Sequence, residues 1–127
     1  THDWGETWER HSSDHDAALV PEPVCMASLF RFVLGTDDQE RSVLFFSNPN
    51  HQEKRAHITI KASRDSGTTW PEAHWVELDE LTGAGYSCLA RVNERTVGIL
   101  YESSQGCLVF QRVSIDDCGF ERPAEVR

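Results

Sequence analysis

Short hydrophobic or alternating runs recur along the chain from residue 25 onward, and polar, turn-like segments separate them. The runs are 25–34, 41–47, 56–63, 74–79, 85–92, 96–103 and 107–113. Among the separating segments, GTDDQE and NPNHQEKR are long and polar, whereas NER and SQG have the length of hairpin turns. Runs and turns of this kind predict β-strands, and no segment sustains the period of a helix. The pattern therefore predicts an all-β fold.

The chain also contains an internal repeat. THDWGETW occupies 1–8 and SRDSGTTW occupies 63–70. The matching positions are Thr1, Asp3, Gly5, Thr7 and Trp8 in the first copy and Ser63, Asp65, Gly67, Thr69 and Trp70 in the second. In such a sequence the Asp accepts backbone N–H groups, the Gly takes a positive φ and the Ser or Thr caps the turn. The repeat predicts one supersecondary unit per cycle, and SIDDCGFE, with its glycine one place late at Gly119, is at most a vestigial third copy.

The motif S/T-x-D-x-G-x-T-W resembles the Asp box, or BNR repeat, of sialidases and related β-propellers. In those proteins the box joins the third and fourth strands of a blade, on the face away from the active site. The resemblance implies a partial propeller, with about two four-stranded antiparallel blades of a six-bladed sialidase propeller. Residues 1–127 are therefore expected to be the C-terminal part of a sialidase-type propeller domain. The rest would be a separate chain, a removed segment or further copies of this chain.

Residues 21–113 further resemble the part of non-viral exo-sialidases that carries the catalytic tyrosine. The shared features, in the family's order, are EPVCMASL, SNP followed by an arginine, the second box, GYS-x-L and G-x-LYE. The resemblance implies an exo-α-sialidase, or neuraminidase, that hydrolyses terminal sialic acids from glycoconjugates with retention through a tyrosine nucleophile. In the family, an aspartate acid, the glutamate that activates the tyrosine and two further arginines all precede the box that is 1–8 here. The site would therefore be incomplete in this chain alone.

Tyr86 matches the family's nucleophile. The anomeric carbon of sialic acid carries a carboxylate, which would repel an Asp or Glu nucleophile but not a neutral phenol that a neighbouring glutamate activates. Without the resemblance, a tyrosine packed in a strand is the commoner interpretation. Gly83 and Gly85, just before Tyr86, are interpreted as the start of that strand.

Two further residues are predicted to act in substrate binding. Arg55, which follows SNP, matches the third of three arginines that grip the sialic acid carboxylate, a task suited to the paired donors of a guanidinium. Lys54 lies beside it, and a solvated basic turn is the alternative. Glu102 matches a glutamate that supports another arginine of the triad, because clustered cations need a fixed counter-charge. The alternative for Glu102 is the polar face of a strand.

Charge and cysteine content narrow the possibilities. Lys and Arg total 12 against 21 Asp and Glu, and the net charge of −9 disfavours binding to nucleic acid or to an anionic membrane. The resemblance leaves a sialylated glycan substrate and the N-terminal remainder of the propeller as partners, with no cofactor and no metal. A secreted or periplasmic location is favoured over a cytoplasmic one. The four cysteines lack zinc-site spacing and are interpreted as mostly buried thiols: Cys25, Cys88, Cys107 and Cys118.

The alternative function is a non-catalytic Asp-box propeller fragment that acts as a carbohydrate-binding or structural module. Asp boxes alone do not distinguish the two, since they occur as turns in unrelated propellers. Tyr86 together with Arg55 favours the enzyme, because a pure scaffold has no reason to keep both at this spacing. A transglycosylating enzyme would share the same residues.

Overall fold

The computed structural model describes residues 1–14, 22–34 and 41–120. These ranges are almost entirely strand and turn, with short 3₁₀ helices at Ser12–Asp14 and Glu72–His74. The strands are β1 Ser28–Leu34, β2 Arg41–Pro49, β3 Ile58–Ser63, β4 Trp75–Asp79, β5 Ser87–Asn93, β6 Thr96–Glu102 and β7 Leu108–Ser114. Every predicted run yields one strand, so the all-β prediction is confirmed.

The strands form two antiparallel sheets in which neighbours along the chain are neighbours in space. The first sheet has the order β1-β2-β3-β4, and the second box connects β3 to β4, the place that the Asp-box resemblance implies. The second sheet has the order β5-β6-β7 and contains three strands in the described part of the chain, where four were expected. Two successive sheets of this kind agree with a fragment of a β-propeller.

The strand expected directly after the first box is not found in residues 9–14. These residues instead end in the 3₁₀ helix, and Arg10 forms an ion pair with Asp14 across 3.4 Å. The physical reason is composition, because ERHSSD offers no apolar side chain that a sheet face could bury. GTDDQE lies outside the described residues.

A hydrophobic core joins the two sheets. Phe32 of β1 and Phe45 of β2 are fully buried and meet edge to face, with ring centroids 5.9 Å apart. Burying a side chain of this size contributes about 1.5–3 kcal/mol. The other members come from both sheets and from the turn after β7: Val43, Ile58, Ile60, Ala62, Leu89, Val97, Ile99, Tyr101, Val113, Ile115, Cys118 and Phe120.

Both octapeptides fold into the same turn. One oxygen of Asp3 accepts the N–H of Thr7 at 2.9 Å and the other accepts its hydroxyl at 2.6 Å. Asp65 binds Thr69 in the same way, at 2.8 and 2.6 Å. The carboxylate therefore replaces water as the acceptor for the far side of the turn.

The two turns differ in how their tryptophans pack. Gly5 and Gly67 have φ values of 97° and 89°, and the carbonyl of each accepts the indole N–H of the tryptophan three residues later. Trp70 is only 6% exposed and meets the ring of Phe46 at 6.0 Å, whereas Trp8 is 78% exposed. The second turn is thus anchored to the first sheet by its tryptophan, whereas the tryptophan of the first turn is not packed in this way against the described residues.

The degenerate third copy keeps the first hydrogen bonds of the box: the Ser114 hydroxyl donates to the Asp116 carboxylate at 3.3 Å and accepts the Asp116 N–H at 3.2 Å. The Asp116 carboxylate pairs with Arg95 instead of with residues of its own turn further along. Gly119, at φ 77°, packs under the ring of His74, whose Nδ1 donates to the carbonyl of Cys118 at 2.9 Å. This contact ties the end of the second sheet to the connection between β3 and β4.

The prediction of mostly buried thiols is wrong for two cysteines. Cys118 is buried and Cys25 is half-buried, but Cys88 and Cys107 are exposed, and all four are free thiols. Cys88 precedes Leu89, which faces the core. Because side chains alternate along a strand, Cys88 faces away from the first sheet.

Candidate active site

The predicted site residues meet at one end of the two sheets. The antiparallel order places the start of β1, the loop between β2 and β3, the start of β5 and the end of β6 together at this end. The loop between β2 and β3 carries Arg55, and Tyr86 directly precedes β5. The second box follows the far end of β3, so it lies at the opposite end. The second box and the candidate site residues are therefore separated by the length of a strand.

Two polar contacts, one buried and one half-buried, join the sheets near this end. The hydroxyls of Ser47 and Ser87 lie 2.8 Å apart, and the hydroxyl of Ser28 accepts the N–H of Leu89 at 3.0 Å. Each joins a residue of the first sheet to a residue of β5. They fix β5, and with it Tyr86, relative to the first sheet.

Arg55 and Tyr86 are in contact. The guanidinium carbon of Arg55 lies 5.3 Å from the centroid of the Tyr86 ring, within the range of a cation–π interaction. The Arg55 head group also donates to two backbone carbonyls, Nη1 to Ala84 at 3.0 Å and Nη2 to Val24 at 3.4 Å. A guanidinium has five N–H donors. Two carbonyl anchors therefore orient the head group and leave donors for an anionic ligand.

Glu102 holds the backbone of Tyr86. Its Oε2 accepts the N–H of Tyr86 at 3.1 Å, and its own N–H donates to the carbonyl of Tyr86 at 2.9 Å. The resemblance places this glutamate beside an arginine, and the structure adds a direct bond to the residue predicted as nucleophile. Tyr86 itself is 44% exposed, so its ring stays accessible while its main chain is held.

Cys25, in the segment before β1, lies beside Arg55, and Glu22 binds its backbone. Glu22 Oε2 accepts the N–H of Cys25 at 3.0 Å. Burial raises the pKa of the Cys25 thiol, against the opposing effect of Arg55 beside it. The thiol is therefore neutral at pH 7 and adds no charge to the site.

Two backbone features of the site escaped the sequence analysis. Val24 and Gly85 both have left-handed backbone angles, with φ of 54° and 91°. A β-branched residue in this region is strained, and strained residues cluster at functional sites. The glycine directly before the tyrosine in GYS is the one sequence signal that pointed to this geometry.

Metal and membrane features are not seen in the ranges that the structure covers. In residues 1–14, 22–34 and 41–120, no three His, Cys, Asp or Glu side chains are grouped as metal ligands would be. The same ranges contain no helix with the length and hydrophobicity needed to cross a bilayer.

The fold and this cluster define the class: part of a β-propeller that carries an arginine–tyrosine pair at one end and an Asp box at the other. No protein-family model matches the chain. It is 44% identical over 117 residues to a sialidase of Bacteroides fragilis (strain YCH46) and 31% identical over 106 residues to a sialidase of Micromonospora viridifaciens. These matches cover 92% and 82% of the chain, but 21% and 16% of those proteins.

A solved structure that this chain resembles is also that of a sialidase. The Hadza microbial sialidase Hz136 matches with a TM-score of 0.82 and 45% identity over 93% of this chain, which corresponds to 22% of its own chain. The chain therefore spans about a fifth of the length of the relatives it matches. It is homologous to one segment of sialidases, which are glycoside hydrolases.

Proposed function

We propose that the chain supplies Tyr86, Arg55 and Glu102 to the active site of an exo-α-sialidase. The observation that carries the proposal is the contact between the Arg55 guanidinium and the Tyr86 ring, 5.3 Å from guanidinium carbon to ring centroid. The substrates would be glycoconjugates that end in α-linked sialic acid. The remaining groups would come from the N-terminal remainder of the propeller, and that assembly is called the complete propeller below.

The chemistry of sialic acid explains why such a contact is useful. Its carboxylate and its glycosidic oxygen are attached to the same anomeric carbon. An arginine that binds the carboxylate therefore also fixes the position of the anomeric carbon, because that carbon is bonded directly to the carboxylate carbon. A nucleophile must then lie next to that arginine, and Tyr86 does so in this structure. Placing the nucleophile beside the carbon that it attacks is a major part of enzymatic rate acceleration.

The reaction would proceed in two displacements. In the first, the phenol oxygen of Tyr86 bonds to the anomeric carbon and gives its proton to the activating glutamate, as the bond to the leaving oxygen breaks and an acid protonates that oxygen; both of these partner groups would come from the remainder of the propeller. In the second, water attacks the same carbon and releases the tyrosine. Two inversions give net retention, and sialidases are known exceptions among glycosidases in using tyrosine.

Glu102 has a separate part in this scheme. Both of its bonds to Tyr86 involve backbone atoms of the tyrosine, so they fix the strand start without occupying the phenol. The phenol remains available for attack and for the activating glutamate that the family supplies from elsewhere. Glu102 is therefore a positioning residue in this proposal.

The test combines composition and activity. The intact masses of all polypeptides in the preparation are measured together with hydrolysis of a fluorogenic sialoside, first by this chain and then by the complete propeller. We expect no turnover by the chain alone and turnover by the complete propeller. In the latter, Tyr86→Phe should abolish turnover with folding and sugar affinity nearly unchanged. Wild-type rates in Tyr86→Phe would refute the tyrosine assignment, and sugar binding without turnover by the complete propeller would favour the non-catalytic module.

A further inference from the structure

Gly85, which lies directly before Tyr86, has a backbone conformation that other residues adopt at a cost. Its φ of 91° is in the left-handed region, and the residue is buried. Glycine reaches this region freely because it has no Cβ, whereas an L side chain is strained there. The direction in which the chain enters Tyr86 therefore depends on a conformation suited to glycine.

The space around Gly85 makes a second, independent demand. A Cβ at this position would lie 3.0 Å from Pro49 Cγ, 3.1 Å from Arg55 Cβ and 3.2 Å from Cys25 Sγ. All three distances are tighter than ordinary van der Waals contacts. The three neighbours belong to the end of β2, the loop after it and the segment before β1. Three separate segments thus pack around the position that a Cβ of residue 85 would occupy.

One of these neighbours is the predicted carboxylate-binding arginine. The Cβ of Arg55 packs against Gly85, its Nη1 donates to the carbonyl of Ala84, and its guanidinium faces the ring of Tyr86. Arg55 therefore contacts three consecutive residues, one through each part of its side chain. Any atom added at Gly85 displaces the base of Arg55 while its head group remains tied to the flanking residues.

We infer that Gly85 is a positioning residue of the proposed sialidase site, because its missing side chain sets Arg55 against Tyr86. The inference rests on the proposed function. If Arg55 binds the substrate carboxylate and Tyr86 attacks the adjacent carbon, their separation fixes both affinity and rate. A displacement of about 1 Å is enough to cost roughly 100-fold in rate.

The kinetic test compares Gly85→Ala with a matched control, Gly106→Ala, in the complete propeller. Gly106 in the turn between β6 and β7 also has a positive φ, 72°, but a Cβ there meets nothing within 4 Å. Both variants carry the backbone strain, and only Gly85→Ala adds the crowding. We expect kcat/KM for a fluorogenic sialoside to fall about 100-fold in Gly85→Ala and to stay within about threefold of wild type in Gly106→Ala.

The split between kcat and KM separates positioning from stability. Loss of folded molecules lowers the apparent kcat at constant KM, whereas displacement of Arg55 from the carboxylate also raises KM. We therefore expect KM to rise in Gly85→Ala. Adding Cys25→Ala removes one of the three crowded contacts, and we expect it to restore part of the lost kcat/KM. A KM equal to that of wild type, with no restoration by Cys25→Ala, would overturn the inference.

A third measurement probes the packing of Cys25 against Gly85 without any substrate. Cys88 and Cys107 are changed to serine in the complete propeller, and the rate at which a thiol reagent labels Cys25 is measured. Gly85→Ala should accelerate labelling of Cys25 several-fold, and Gly106→Ala should not. An active wild type in which Gly85→Ala behaves like Gly106→Ala in kinetics and labelling overturns the inference alone. A wild-type propeller that hydrolyses no sialoside overturns the proposed function as well, whatever the labelling shows.

Discussion

Replacing Asp65 by alanine tests how the second Asp box stabilises the fold. The carboxylate accepts hydrogen bonds from the Ser63 hydroxyl at 2.7 Å, the Thr69 N–H at 2.8 Å and the Thr69 hydroxyl at 2.6 Å. A hydrogen bond to a charged group contributes about 1.5–3 kcal/mol at most. Asp65 is exposed, so water replaces part of what is lost. We therefore expect a loss of about 1–3 kcal/mol in the free energy of unfolding for all three bonds together.

Asp3→Ala is the matched control, because Asp3 makes the same three bonds in the first box. The turns differ in what they hold: Trp70 is 6% exposed, and Trp8 is 78% exposed. If the box stabilises the fold by fixing a buried tryptophan, Asp3→Ala must cost clearly less than Asp65→Ala.

The assay is chemical denaturation of the 127-residue chain, followed by circular dichroism and checked by thermal melting. A loss of 1 kcal/mol corresponds to a decrease in Tm of about 4 °C for a chain of this size. Equal losses in the two variants would show that burial of Trp70 adds nothing, since the local hydrogen bonds alone would then account for the effect. A loss under about 0.5 kcal/mol in Asp65→Ala would refute the expected stabilisation by the box.

Two further outcomes are expected. Hydrogen bonds from Thr69, and then from Ser63, lower the pKa of Asp65 from 3.8 to about 2. Its contribution to stability is therefore complete above about pH 4 and is lost as the pH falls toward 2, so acid unfolding should be less steep in Asp65→Asn than in wild type. Val24 is 86% exposed and has a φ of 54°, so Val24→Asn relieves backbone strain without removing buried contacts. The free energy of unfolding, measured by denaturant titration, should rise by about 1 kcal/mol. A decrease would show that Val24 is not strained.

The strands were predictable from the sequence because one face of each sheet is buried. In β1, Phe32 faces the core and its neighbour Arg31 is exposed, and this alternation is visible in the sequence itself. The turn of the second box was equally predictable, since it depends on contacts within eight residues. The strand that the repeat predicts after the first box is not found in residues 9–14, because this polar segment has no apolar side chain to bury against a sheet.

The site was only partly predictable. The resemblance named Arg55, Tyr86 and Glu102, and the order of the strands explains why they meet at one end. The sequence did not reveal that Glu102 bonds to the backbone of Tyr86, because that contact depends on the register between β5 and β6. The crowding around Gly85 was hidden for the same reason, since it arises from three segments distant in the chain.

The exposure of individual side chains was the least predictable feature. Trp8 and Trp70 occupy the same position of the same turn, yet one is exposed and the other buried. Cys88 is hydrophobic enough for a core but faces away from it. In both cases the outcome depends on which sheet lies beside the residue, and local sequence does not contain that information.

A covalent bond between Tyr86 and the sugar is the most direct sign of the proposed nucleophile, and it can be trapped. The complete propeller is mixed with a sialoside that has a good leaving group, quenched in acid within the first turnover, digested and analysed by peptide mass spectrometry. We expect a peptide containing Tyr86 whose mass is increased by one sialosyl group, and no such peptide in Tyr86→Phe. A sialosyl group on any other residue, or continued turnover by Tyr86→Phe, would show that Tyr86 is not the nucleophile.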